Sequence, residues 1–194
     1  MISVQSLWFL VAGYLVMISF FIIQRLLRQT SGAKSLRSGA FDRGNMILIG
    51  SATGIGLWLP VILDLLGIAT FRIDILEGLF GLALMLGGLD LRISAARTLG
   101  KYYTMTLMMI EGQKVVSTGL YSHIRHPGYL GEIFLWSGFG ILSSNLIVAV
   151  VLPVMLIAVL LYRISSEEKM LSQELGDSYI QYQRRTNKLI PYVF

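Results

Sequence analysis

The sequence predicts an all-α integral membrane protein: five transmembrane helices, the last two a helical hairpin, then a polar C-terminal segment on the cytoplasmic side. Three observations predict it. Of the 194 residues, 55% are hydrophobic and 14% charged, whereas a soluble domain carries about a quarter charged. The apolar residues gather into five runs. Sixteen residues are basic, and all but Arg72 fall on one side of those runs.

Run one extends from Leu7 to Ile23, run two from Met46 to Leu66 and run three from Ile75 to Leu91. Each is near the ~20 residues that a helix needs to cross a bilayer. Run four, Leu130 to Leu142, and run five, Leu146 to Tyr162, are shorter and only Ser143-Ser144-Asn145 separates them. That spacing reads as a hairpin with its tip at or inside the far interface. Gly131, Gly138 and Gly140 are expected to let its two helices approach closely.

The basic residues fix an orientation. Arg25, Arg28, Lys34, Arg37 and Arg43 follow run one; Arg92, Arg97, Lys101, Lys114 and Arg125 follow run three; Arg163, Lys169, Arg184, Arg185 and Lys188 follow run five. The positive-inside rule makes their side cytoplasmic, with the N-terminus outside. The net charge of +5 therefore reports topology and calls for no nucleic-acid partner. The basic loop 25–43 is read the same way. With no cysteine there is no disulfide, thiol nucleophile or cysteine metal site.

The chain divides into 1–98, three transmembrane helices, and 99–194, a catalytic region. The latter comprises a cytoplasmic connector, a helical hairpin at about 129–162 and C-terminal cytoplasmic helices. In the connector, Thr104 to Ile110 and Lys114 to Ser117 are apolar or β-favouring around the turn signal Glu111-Gly112. After run five, either Ser165 or Ser166 caps a new helix or the run continues through them. Gly176 ends that helix, and Asp177 to Arg185 forms another.

Two polar clusters bracket the hairpin. The first is Tyr121-Ser122-His123-Ile124-Arg125-His126-Pro127-Gly128-Tyr129. Pro127 suits a first helical turn, leaving the N–H groups of Gly128, Tyr129 and Leu130 to receive an anion. The bland reading is an interfacial cap with an aromatic-belt tyrosine. The second cluster is Arg163-Ile164-Ser165-Ser166-Glu167-Glu168. Arg163 and Glu167 are four apart and share a helix face. Glu168 points about 100° away, toward solvent or a lysine. Glu132, one turn into run four, and Asp90, at the end of run three with Arg92 or Arg125 as its expected partner, read as structural acids. His123 and His126 lie on either side of no metal motif, and no metal is expected.

Taken together, Gly119-Leu120-Tyr121, Arg125-His126-Pro127-Gly128-Tyr129-Leu130-Gly131 and Glu167-Glu168 resemble the isoprenylcysteine carboxyl methyltransferase family, in its short, prokaryotic-type form. The resemblance runs from about Gln113 to the C-terminus. It implies a membrane methyltransferase that uses S-adenosylmethionine. It implies that Gln113, Lys114, Val115 and Val116 line the cofactor pocket, where the commoner family form often has histidine at the first position. Tyr121 then resembles an aromatic cofactor contact. His126, Pro127, Gly128 and Tyr129 resemble the wall around the methionyl and ribose parts. Glu167 resembles a cofactor-binding carboxylate, and Arg163 the residue that meets the substrate, so Arg163 and Glu167 are the catalytic pair. The expected substrate is a lipophilic, prenylated carboxylate entering from the bilayer. An ionised carboxylate is nucleophilic at neutral pH, so such a site needs no general base.

Two other enzymes and one non-enzyme compete with this reading. Phospholipid or amine N-methylation uses a neutral acceptor with less need for Arg163. A sterol-type reductase using NADPH favours extra basic residues where this chain has Glu167 and Glu168. A membrane scaffold or ion pathway built on Glu132 and Asp90 binds no nucleotide.

Overall fold

The computed structural model describes residues 4–30, 35–38 and 43–190, with side chains described outside 28–43. Helices α1 (Val4–Thr30), α2 (Arg43–Leu66) and α3 (Ile75–Leu99) come first. A connector follows, then α4 (Pro127–Leu142), α5 (Leu146–Leu175) and the short α6 (Asp177–Gln183). Among the described residues, four helical segments are long and apolar enough to span a membrane: Val4–Leu27, Gly44–Leu66, Ile75–Tyr102 and Leu146–Leu175. Their outward faces carry exposed Trp8, Leu15, Trp58, Leu65, Leu76, Phe80 and Val154, as surfaces turned to lipid should. The chain is a multi-pass membrane protein.

Local chemistry sets the helix ends. Asp74 and Glu77 form a reciprocal capping box at the start of α3, with bonds of 2.8 and 3.1 Å. Asn145 caps α5, its Oδ1 accepting from Ile147 and Val148 N–H. Its amide donates to the Ile68 carbonyl at 2.8 Å. Phe71 N–H donates to Ser144 O, and Leu146 N–H to Ala69 O. The buried hairpin tip is thus fastened to the α2–α3 loop.

The glycines act differently from expectation. A Cβ on Gly131 would stand 2.5 Å from the Gly88 carbonyl oxygen, and one on Gly138 2.4 Å from that of Gly81. Both face α3, not the other hairpin helix; only Gly140 abuts α5, at Ala149 and Val148. Seven residues are close to two helical turns, so each pair forms one stripe along its helix. The two stripes meet antiparallel, backbone to backbone. Around this seam lies the core: Met17, Phe20, Met85, Leu135, Trp136, Phe139, Leu142, Val148, Leu152, Leu156 and Leu160.

Two further expectations change. The hairpin does not end near residue 162. Its second helix continues through the polar cluster to Leu175, so neither Ser165 nor Ser166 begins a helix. Ser166 Oγ instead donates to the Tyr162 carbonyl one turn back. Gly176 ends the helix at φ +57°. The connector departs from an all-α fold. Its strand β2 (Met108–Ile110) pairs antiparallel with β1 (Ser35–Ser38), from the α1–α2 connection, and not with residues 114–117. The Glu111-Gly112 turn forms, but Gln113 turns back on Ile110, accepting its N–H and donating to its carbonyl. That local closure uses the groups a hairpin ladder would need.

Candidate active site

At the polar end of the α3–α4–α5 seam is a cavity. Gln113, Lys114, Val115, Val116, Tyr121, His126, Gly128, Tyr129, Arg163 and Glu167 all line it. The two clusters that bracket the hairpin in sequence therefore meet. Pro127, named with its neighbours, is not among the lining residues; it is the first residue of α4, where its missing N–H costs nothing. The anion seat also narrows, because Tyr129 and Leu130 N–H both donate to the His126 carbonyl at 3.1 Å.

Continuation of α5 without a break sets the geometry. Arg163 and Glu167 stay one turn apart on a single helix, and Tyr129 from α4 joins them. Arg163 Nε donates to the Tyr129 hydroxyl at 2.8 Å, and that hydroxyl donates to Glu167 Oε2 at 2.6 Å. The Arg163 Nη2 group donates to the Met105 carbonyl in the connector. Arg163 is 4% exposed. A guanidinium fixed at two positions on two elements is a preorganised charge.

Of the two expectations for Glu168, solvent or a lysine, the second holds in Lys188, and Arg125 and His126 join it. Glu168 accepts from Arg125 Nε at 2.7 Å, lies 3.2 Å from His126 Nε2 and 3.8 Å from Lys188 Nζ. Arg125 also donates to the carbonyls of Gln183 and Thr186. The Arg125 and His126 N–H groups donate to Asn187 and Lys188 carbonyls. Glu168 is thus the anionic hub that fixes the C-terminal segment against the start of α4. Glu168→Ala is expected to leave the Arg125 guanidinium buried without a carboxylate, at a cost of about 3–5 kcal/mol. A thermal melt in detergent checks it; an unchanged midpoint removes the hub role.

The segment so held brings Tyr179 and Tyr182 into the cavity wall, and Tyr182 donates to the Tyr121 carbonyl at 2.7 Å. Burial raises all three phenols, that of Tyr182 to about 12. Glu167 nearby pushes Tyr121 and Tyr179 further in the same direction. They remain hydrogen-bond donors at physiological pH. His126 stacks on Tyr129 at 5.6 Å between ring centroids. His123, by contrast, is exposed and bonded to Ser122. Asp90 is exposed, and the partners expected for it are engaged elsewhere, Arg92 with Glu132 and Arg125 with Glu168.

Residues 81–173 match the model of the isoprenylcysteine carboxyl methyltransferase family. That region, just under half of the chain, is similar to the family. Among curated proteins, the chain is 33% identical over 117 residues to protein-S-isoprenylcysteine O-methyltransferase B of Arabidopsis thaliana, 59% of each chain. It is 30% identical over 110 residues to the Schizosaccharomyces pombe protein-S-isoprenylcysteine O-methyltransferase, covering 49% of this chain and 46% of that one. The chain thus spans roughly half the length of these curated relatives. A solved structure of the eukaryotic intramembrane Ras methyltransferase aligns with TM-score 0.55 and 23% identity, over 81% of this chain and 55% of the other. That likeness shows the fold.

The family match begins at residue 81, well before the Gln113 start that the motifs indicated. The added stretch is the part of α3 that carries Gly81, Gly88 and Arg92, the face that meets α4. Sequence reasoning missed this face, and with it Arg92, Tyr103, Arg125, Tyr179 and Tyr182 as cavity residues. The signal in reach was the seven-residue spacing shared by Gly81/Gly88 and Gly131/Gly138.

Proposed function

We propose that the chain moves a methyl group from S-adenosylmethionine to the carboxylate of a lipophilic acceptor such as a C-terminal isoprenylcysteine. The observation that carries this is the Arg163–Tyr129–Glu167 chain of hydrogen bonds, in a cavity where the apolar seam meets the polar connector. Curated relatives named protein-S-isoprenylcysteine O-methyltransferase support it.

The donor set suits this cofactor. Tyr121, Tyr179 and Tyr182 offer aromatic walls for a heterocycle and a cation, and Glu167 accepts from amino or hydroxyl groups. Gln113 to Val116, His126 and Gly128 complete the cofactor wall. When bound, S-adenosylmethionine supplies a methyl group carried on a sulfonium. Arg163 orients the acceptor carboxylate, and Tyr129 transmits the Glu167 charge that keeps the guanidinium in place. Buried walls exclude water from two opposite charges, which strengthens their attraction. Positioning is the other contribution.

In this reading α4 is the fifth crossing. Its 16 residues span about 24 Å, less than the ~30 Å hydrocarbon core, with the tip recessed at the α2–α3 loop. The N-terminus is then outside and the C-terminal segment cytoplasmic. The acceptor enters from the bilayer and the cofactor from the cytoplasm.

Calorimetric titration of detergent-purified protein with S-adenosylhomocysteine tests the cofactor. Glu167→Ala is expected to weaken binding about 10- to 150-fold, the range for losing hydrogen bonds to a charged group. No binding by folded wild-type protein rejects the methyltransferase reading. A prenylated cysteine and phosphatidylethanolamine, offered side by side, separate carboxyl from amine methylation.

A further inference from the structure

Arg92 has no role in the proposal above, yet it borders the same cavity. It lies one turn beyond Gly88 on α3. The Gly88–Gly131 contact therefore delivers its side chain to the start of α4. A Cβ on Gly128 would stand 3.3 Å from Arg92 Nη1, so glycine there makes room for the guanidinium. Nη1 is 3.3 Å from Glu132 Oε2, and the side chain is 12% exposed. The guanidinium carbon is 5.7 Å from the Tyr129 ring centroid, and that of Arg163 is 5.9 Å from the same ring. Arg92 Nε is buried and has no hydrogen-bond partner among the described residues. A guanidinium retained only to neutralise Glu132 would be expected to meet it with two parallel bonds. Here one corner meets Glu132 and the Nε edge is left over.

Its depth matters. On α3 the lining residues are Arg92, Ala95 and Leu99; on α5 they are Arg163, Glu167, Met170, Leu171 and Leu175. On both helices the arginine is the lining residue nearest the apolar span. Glu167 lies one turn beyond Arg163, toward the polar end.

We propose that Arg92 is a second acceptor-binding residue, its Nε edge joining the Arg163 guanidinium in receiving the acceptor carboxylate at the bilayer end of the cavity, with Glu132 as the positioning residue for Arg92. This rests on the methyltransferase reading and deepens it. Two guanidinium groups give the site its preference for an anionic head over a neutral one, since a carboxylate makes charge-assisted bonds to both that a neutral head cannot match.

The test uses wild type, Arg92→Gln, Arg92→Lys and the double variant Arg92→Gln/Glu132→Gln, purified in detergent. An S-prenylated N-acetylcysteine is the acceptor, and its carboxamide the competitor. The expected result for Arg92→Gln is an acceptor KM raised at least tenfold and an equal fall in the preference for carboxylate over carboxamide. S-Adenosylhomocysteine affinity should stay within about twofold, and Arg92→Lys should recover only part of the loss. The double variant, which strands no carboxylate, should keep the raised KM. Recovery of wild-type KM in the double variant overturns the proposal, leaving Arg92 a structural counter-ion. So does loss of S-adenosylhomocysteine affinity at unchanged acceptor KM, which puts Arg92 at the cofactor. Wild-type protein that binds S-adenosylhomocysteine and methylates no carboxylate acceptor sinks the broader functional reading; an active wild type with a normal Arg92→Gln sinks this inference alone.

Discussion

Arg163→Ala is expected to lower kcat/KM for a prenylated carboxylate by about two to three orders of magnitude, with S-adenosylhomocysteine affinity changed only a few-fold. Truncating one partner of a buried, hydrogen-bonded charge pair costs about 2–5 kcal/mol or more, which at roughly 1.4 kcal/mol per decade is about 1.4 to 3.6 decades. The geometry argues for the upper part. Arg163 is 4% exposed and held by the Tyr129 hydroxyl and the Met105 carbonyl, so its orientation is fixed before an acceptor arrives. Alanine removes the charge and withdraws the Nε–H from the Tyr129 hydroxyl. Arg163→Lys should rescue little, because an ammonium cannot bond Tyr129, Met105 and a carboxylate in one plane. Initial rates over a range of acceptor concentrations, with the cofactor saturating, provide the measurement. Activity that persists in Arg163→Ala at saturating acceptor would remove Arg163 from the acceptor site.

How far the sequence foretold this site depends on the kind of signal each residue left. Apolar runs mark the long helices well, since burial in lipid demands a continuous stretch of apolar residues. Arg163, Glu167, His126 and Tyr129 were legible because they combine unusual residue types with a fixed order around a hairpin. Glu168 was legible as an acid but not as a hub. Its three partners come from residues 125, 126 and 188, and no local spacing encodes a contact across 43 positions. Arg92 was masked by its neighbours: in a basic flank of arginines and lysines, one that turns inward looks like those that mark topology. The course of α5 through Ser165 and Ser166 was ambiguous because serine suits both a cap and a helix interior that bonds back to the preceding turn. The β1–β2 pairing joins two segments some seventy residues apart, where a short apolar triplet gives no indication of its partner.

Gly138→Val is expected to prevent the native fold, and Gly138→Ala to cost at least about 3 kcal/mol, the upper end for overpacking. The added Cβ would stand 2.4 Å from the Gly81 carbonyl oxygen, 2.6 Å from Met85 Cγ and 2.9 Å from Met85 N. Two of these three are backbone atoms of α3, so no rotamer change relieves the clash and the helices must separate. In a bilayer the cost is specific, because close helix approach through small residues is itself a source of association and lipid gives no hydrophobic drive to replace it. Gly87→Ala is the control: one residue before Gly88 on the same helix, its Cβ meets nothing within 4 Å, and alanine there should be neutral or mildly stabilising. Thermal melts of both variants in detergent, read by intrinsic fluorescence, distinguish a packed seam from a tolerant one; equal midpoints for Gly138→Ala and Gly87→Ala would refute the seam. The same contact governs the site. Gly88 meets Gly131 in the antiparallel register that brings Gly81 to Gly138, and Arg92 reaches Gly128, Tyr129 and Glu132 only because α3 lies against α4 at that distance. A seam forced apart at Gly138 should therefore weaken acceptor binding even in any fraction that still folds, as a methyl-sized change about three helical turns away moves the Arg92 guanidinium.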